Sequence, residues 1–233
     1  MSDDLLPCVE LEPPGRADSA VIWLHGLGAD GHDFEPVVPY LGLGKDLGVR
    51  FVFPHAPKRA VTINMGLIMR AWYDIRGTRL EEDYDENGVR ESARQIHALI
   101  ARENGRGVPY GRIVLAGFSQ GGAMALHVGL RHPERLAGIV ALSSYVARGE
   151  SLEADVSAAN RGLQIFQAHG AEDQVVPLRY GLEARDRLLA LGYDVLWRTY
   201  PVGHEVDPQE IQDTGAWLKR KLSPAGKDGP EAA

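Results

Sequence analysis

Five consecutive residues, Gly117-Phe118-Ser119-Gln120-Gly121, have the G-x-S-x-G spacing of a serine held at a sharp strand-to-helix turn. Side chains two places to either side of such a serine would collide, so both positions must be nearly free of side chain. Gly122 and Ala123 leave further room. The context agrees. Residues 112–118 read as a strand, and 120–131 as a helix with Ala123, Ala125, Leu126 and Leu130 available for packing. The helix N-terminus brings positive partial charge beside Ser119. A hydroxyl so placed suits attack on an acyl carbon, provided that a base stands next to it.

The chain holds eight histidines from which that base must come. Where strands and helices alternate, it is expected after the last strand, at the carboxyl edge of the sheet. His204 has that place, because Leu196-Trp197-Arg198-Thr199-Tyr200 leads into Pro201-Val202-Gly203-His204 and a helix follows. His97 and His127 fall within predicted helices; His32, His55 and His132 fall in loops with no strand end behind them. An orienting acid should follow the preceding strand, and Gln164–Gly170 runs into Ala171-Glu172-Asp173. Asp173 is the shorter acid and abuts Val175-Val176-Pro177, an apolar neighbourhood that would keep water from its bond to an imidazole. Glu172 is its rival. Ser119, Asp173, His204 is also the chain order of α/β-hydrolase triads.

A third cluster, His25-Gly26-Leu27-Gly28-Ala29-Asp30-Gly31, follows the first long apolar run. Its glycines satisfy G-x-G-x-x-G, the dinucleotide fingerprint, which also requires an acid at the end of the next strand to hold a ribose. That strand ends Phe51-Val52-Phe53-Pro54-His55, without one. The better reading is an oxyanion loop, with the backbone N–H of Leu27 paired with that of Gln120. No cofactor is expected.

The elements that must position these groups are legible as apolar runs at 19–24, 49–53, 112–118, 136–142, 163–168 and 194–200. Most do not alternate with polar residues, as in strands buried on both faces. Between them, Val89, Ile96, Leu99 and Ile100 share a helix face, as do Leu182, Leu188 and Leu189, and later Ile211, Leu218 and Leu222. The pattern predicts an α/β fold: a mostly parallel central sheet with helices on both faces and no large cap domain. Residues 1–222 read as one domain, with 54–84 a long connection of the kind that tends to be functional, and 223–233 a flexible tail. A net charge of −7 disfavours nucleic acid and anionic lipid as partners. No run is long enough for stable membrane insertion, the acidic start is unlike a signal peptide, and Cys8 is the sole cysteine, expected to be a packed thiol. A cytoplasmic protein is expected.

Together, His25-Gly26-Leu27-Gly28, Trp72-Tyr73-Asp74, the 117–122 elbow, Asp173 with Val176-Pro177, and Gly203-His204 resemble the carboxylesterase and acyl-protein thioesterase family, its bacterial carboxylesterase branch most of all. The likeness spans about 19–222. It implies the α/β-hydrolase fold, a triad at Ser119, Asp173 and His204, oxyanion amides at Leu27 and Gln120, and no metal or cofactor. It implies hydrolysis of carboxylic esters, here of short to medium acyl chains, with thioesters and lysophospholipids as the alternative on the same triad. A non-catalytic module that kept the fold is the reading from another class. One departure stands out: where such relatives carry Gly-Gly after the asparagine of the long loop, this chain has Met65-Gly66. Methionine enters positive φ only at a cost, so the local backbone is expected to differ. Leu27, Met65, Leu67, Ile68, Met69, Trp72 and Val176 are the candidate walls of an apolar substrate channel, and apolar loop residues could support a homodimer.

Overall fold

Strands covered on both faces have no polar side to show, which is why most of the apolar runs do not alternate with polar residues. In the computed structural model, which describes residues 5–44, 47–80, 83–147 and 152–223, seven strands form one sheet. They are β1 (Cys8–Leu11), β2 (Ser19–Leu24), β3 (Val49–Pro54), β6 (Ile113–Phe118), β7 (Gly138–Leu142), β8 (Gln164–Gly170) and β9 (Asp194–Tyr200). Their order is β1-β3-β2-β6-β7-β8-β9. All neighbours are parallel except β1, which runs against β3 with Cys8 opposite Pro54 and Leu11 opposite Phe51. The remaining two strands, β4 (Lys58–Val61) and β5 (Leu67–Arg70), form a separate antiparallel hairpin inside the long connection.

The helices are α1 (Glu86–Gly105), α2 (Gln120–Arg131), a single turn α3 (Leu152–Asp155), α4 (Leu178–Ala190) and α5 (Pro208–Leu222). Successive strand residues point to opposite faces, and each face has its own core. Ile22, Leu24, Leu115, Ile139 and Ile165 pack with α1, α2 and α4 through Ile96, Leu99, Met124 and Leu188. Val21, Trp23, Val114, Val140 and Phe166 pack with α5 and a 3-10 helix (Glu35–Leu41) through Ile211, Trp217, Leu218 and Leu41. The expected fold is therefore the one formed. Its strand limits shift slightly: Arg112 belongs to a 3-10 turn, where its guanidinium reaches Asp18, and β6 begins at Ile113. Cys8 is half-buried, its thiol donating to the Leu6 carbonyl, and burial pushes its pKa up to about 11. Of the expected tail, 224–233 lie outside the described residues.

The start of α5 fixes the loop that carries His204. Asp207 caps the helix, Pro208 fills its first turn, and Glu210 returns a bond to the Asp207 N–H, completing a capping box. Glu210 is fully buried with one carboxyl oxygen unpartnered. Burial raises its pKa to about 7, the Asp207 N–H opposing. A carboxyl with a raised folded pKa gives its full stability below the unfolded value, near 4.5, and loses it as pH climbs through about 7. Glutamine retains the capping bond without ionising. Glu210→Gln should therefore melt several degrees above the parent at pH 8, an advantage of up to about 3 kcal/mol, and the gap should close by pH 5. Equal melting temperatures at both pH values would refute this assignment.

Candidate active site

Ser119 stands between β6 and α2 with φ 54° and ψ −121°, a strained conformation for a residue with a side chain, worth about 1–3 kcal/mol. Neighbouring bonds hold it there. Its N–H donates to Leu142 O (2.8 Å), and its carbonyl accepts from Ser144 Oγ (2.9 Å) and from the Ala123 N–H (3.1 Å). The flanking glycines are required by contact. A Cβ on Gly121 would strike the carbonyl oxygens of Leu24 and His25, and one on Gly117 would strike the backbone of Gly121.

The three expected side chains meet. His204 Nε2 lies 2.9 Å from Ser119 Oγ, and His204 Nδ1 lies 2.7 Å from Asp173 Oδ2. The other oxygen of Asp173 accepts from the N–H groups of Val175 (2.9 Å) and Val176 (2.8 Å). Burial pushes this carboxyl's pKa up, but the bonds from His204, Val176 and Val175 outweigh it and hold the acid below its usual range. An ionised Asp173 keeps a proton on Nδ1 and leaves Nε2 free to accept. The Phe118 ring, 4.8 Å from the imidazole, shields one side of it. Glu172 faces solvent and takes no part.

Leu27 and Gln120 both line the cavity at Ser119. Among the described residues neither of their backbone N–H groups has a protein acceptor, as an oxyanion site requires before substrate binds. The Gly26–Gly31 loop opens no helix; the 3-10 helix begins only at Glu35. The phosphate cradle of a dinucleotide fold is therefore not formed there. Instead the loop is braced from beneath. His25 accepts from the Ala56 N–H at Nε2 (3.0 Å), so its Nδ1–H donates to Gly26 O (2.7 Å), and burial lowers its pKa to about 4, keeping it neutral. Trp72 Nε1 donates to His25 O (2.9 Å). The Gln120 side chain then ties the elbow to the same segment, just after β5, accepting from Trp72 N–H (2.9 Å) and donating to Tyr73 O (2.8 Å). Reading Gln120 only as a backbone donor missed this second task. Gln120→Ala should leave both backbone groups buried and unpaired, at about 2–3 kcal/mol in urea unfolding. It should also lower kcat roughly tenfold by loosening the loop. Unchanged unfolding and turnover would contradict the bracing role.

The cavity has a volume of about 340 Å³, and Leu27, Ile63, Ile75, Leu80, Tyr145 and Val176 form its apolar wall. Leu27 and Val176 are where the sequence put them; the other candidates are not. Met65, Ile68 and Leu67 are 92%, 75% and 58% exposed on the β4–β5 hairpin, and of its residues only Ile63 and Asn64, in the turn between the strands, line the cavity. Met69 lies behind the loop, its sulfur accepting from Asn64 Nδ2 (3.2 Å). Trp72 is wholly buried as the brace just described. Met65 does adopt the left-handed region, φ 56° and ψ 30°, so the expectation that methionine would avoid it fails. The strain of about 1–2 kcal/mol is offset by turn bonds from Met65 N to Thr62 O (3.0 Å) and Gly66 N to Val61 O (2.9 Å). Ile63, Ile75, Leu80 and Tyr145 were missed. Only Tyr145 carried a signal, since it follows the strand beside the nucleophile at the sheet's carboxyl edge. Among the described residues no group of three or more His, Cys, Asp and Glu could hold a metal, and no helix is long and apolar enough to cross a membrane.

Comparison with known proteins gives a consistent picture. Residues 8–222 match the phospholipase/carboxylesterase family. Acyl-protein thioesterase 1 of Gibberella zeae is 38% identical over 215 residues, covering 88% of this chain and 92% of that protein. Acyl-protein thioesterase 1 of Neurospora crassa is 39% identical over 216 residues, covering 89% and 88%. The crystal structure of Arabidopsis thaliana SOBER1 matches with a TM-score of 0.82 at 30% identity, over 88% of this chain and 99% of that one.

Proposed function

From a chain that belongs to the phospholipase/carboxylesterase family and is a hydrolase of carboxylic esters or thioesters, we infer an acyl-protein thioesterase that cleaves simple esters by the same steps. The observation that carries this is Ser119, in hydrogen bond with His204, at the base of an apolar cavity that remains open to a bulky leaving group. The relatives' name favours a protein thioester over the short-chain ester expected from the sequence.

Ser119 Oγ bonds to the acyl carbon while its proton passes to His204 Nε2. The N–H groups of Leu27 and Gln120 receive the negative oxygen, and Asp173 steadies the imidazolium. The carbon–sulfur bond breaks, and His204 returns the proton to the departing thiolate. Water then repeats the sequence on the acyl-Ser119 ester, releasing the carboxylic acid and restoring the hydroxyl.

The cavity volume lies near the lower end of the roughly 300–1,000 Å³ typical of ligand pockets, which suits a short to medium acyl segment inside and any remainder outside. Rates on an S-acylated peptide, a lysophospholipid and p-nitrophenyl esters of rising chain length test both points. The peptide thioester should have the highest kcat/KM, and the ester series should peak at medium length. An inert peptide beside a rapidly cleaved lysolipid would reject the thioesterase reading. A rate still rising at the longest chains would reject the length limit.

A further inference from the structure

A second histidine stands behind the triad. His169, at the end of β8, is completely buried, and its Nε2 lies 2.8 Å from Val176 O and 3.6 Å from Asp173 Oδ2, the oxygen that also receives His204. A carbonyl can only accept, so Nε2 carries the proton. Nδ1 has no partner. A proton there would be a buried orphan donor, so the ring is neutral with one defined tautomer. Burial lowers its pKa in the same sense, against the opposing influence of Val176 O and Asp173. Trp197 stacks on one side at 6.3 Å, and Gly181 lies so near Nδ1 that a Cβ there would collide with it. The ring thus has little freedom to turn.

Its single hydrogen bond is made to the residue that holds the acid. Val176 donates its N–H to Asp173 Oδ1 while its carbonyl takes the His169 proton, so the peptide on each side of Val176 is fixed from within the sheet. The His169 Nε2–H group, 3.6 Å from Asp173 Oδ2, also sets the positive end of its dipole near that oxygen, which favours an ionised carboxylate. We propose that His169 is a positioning residue for the reaction: through Val176 it sets the orientation of Asp173, and so the aim of the His204 imidazole. This rests on the triad reading.

The substitutions follow from where each amide nitrogen would stand. In His169→Gln the side-chain N–H₂ reaches the Nε2 position and can serve Val176 O. In His169→Asn it stops near Nδ1, where nothing accepts, and His169→Leu offers no donor. Turnover of a p-nitrophenyl ester by the full chain should show kcat about thirtyfold lower for His169→Leu and His169→Asn, with KM within about twofold, and most of kcat retained in His169→Gln. The low-field proton resonance of the Asp173–His204 bond should persist in His169→Gln and broaden or move in His169→Asn. Glutamine no better than asparagine would reduce His169 to packing and overturn the proposal, as would parental kcat in His169→Leu. If His169→Leu does not fold, the glutamine and asparagine pair alone decides. Loss of Ser119 dependence in the parent would instead indict the triad reading.

Discussion

Ser119→Ala is expected to lower kcat about a million-fold while the melting temperature stays within a few degrees or rises. The chemical reason is direct: His204 loses the hydroxyl it would deprotonate, and among the described residues no other hydroxyl is bonded to it. Folding should survive because alanine retains the Cβ, and the bonds that hold the elbow use the backbone of residue 119, not its side chain. A residual rate of roughly 10³–10⁴ over water should remain, from the cavity and the Leu27 and Gln120 amides alone. Turnover within tenfold of the parent would remove Ser119 from the mechanism.

The second largest effect should come from Asp173→Asn, at about 10⁴ in kcat. An amide at that place can still accept from Val175 and Val176, so the loop has reason to stay put. Its nitrogen, however, would face His204 Nδ1 and require that atom to accept. The imidazole proton would then move to Nε2, where it blocks transfer from Ser119 Oγ. KM should change little, because Asp173 is hidden beneath His204 and does not line the cavity. Combined with Ser119→Ala the loss should be far less than multiplicative, since the residues act as one unit. A kcat within tenfold of the parent would show that the tautomer is fixed by something else.

How much of this could be read in advance depends on the kind of constraint. The sheet was legible because β2, β6 and β7 are covered twice, and a strand covered twice is apolar along nearly its whole length. The triad was legible because the elbow demands glycines around Ser119, and the fold assigns the acid and the base to the ends of successive strands, where Asp173 and His204 stand. The cavity wall was not legible in the same way. Met65, Leu67 and Ile68 are as apolar as Ile63, Ile75 and Leu80, and nothing in their order says which side of a small hairpin meets the domain. The braces were hidden for another reason. His25 to Ala56, Trp72 to His25 and Gln120 to Tyr73 join segments that only the folded chain brings together. The positive φ at Met65 shows the limit of local preference: a strain of that size yields to two hydrogen bonds in a turn.

The central claim is that the hydroxyl of residue 119 is an activated nucleophile. It is tested most directly by treating the protein with a fluorophosphonate and locating the adduct by peptide mass spectrometry. The account predicts one phosphonylated side chain, Ser119, formed with loss of fluoride and concurrent loss of turnover. A protein that cleaves its substrate yet stays unlabelled, or carries the group only on another residue, would contradict it.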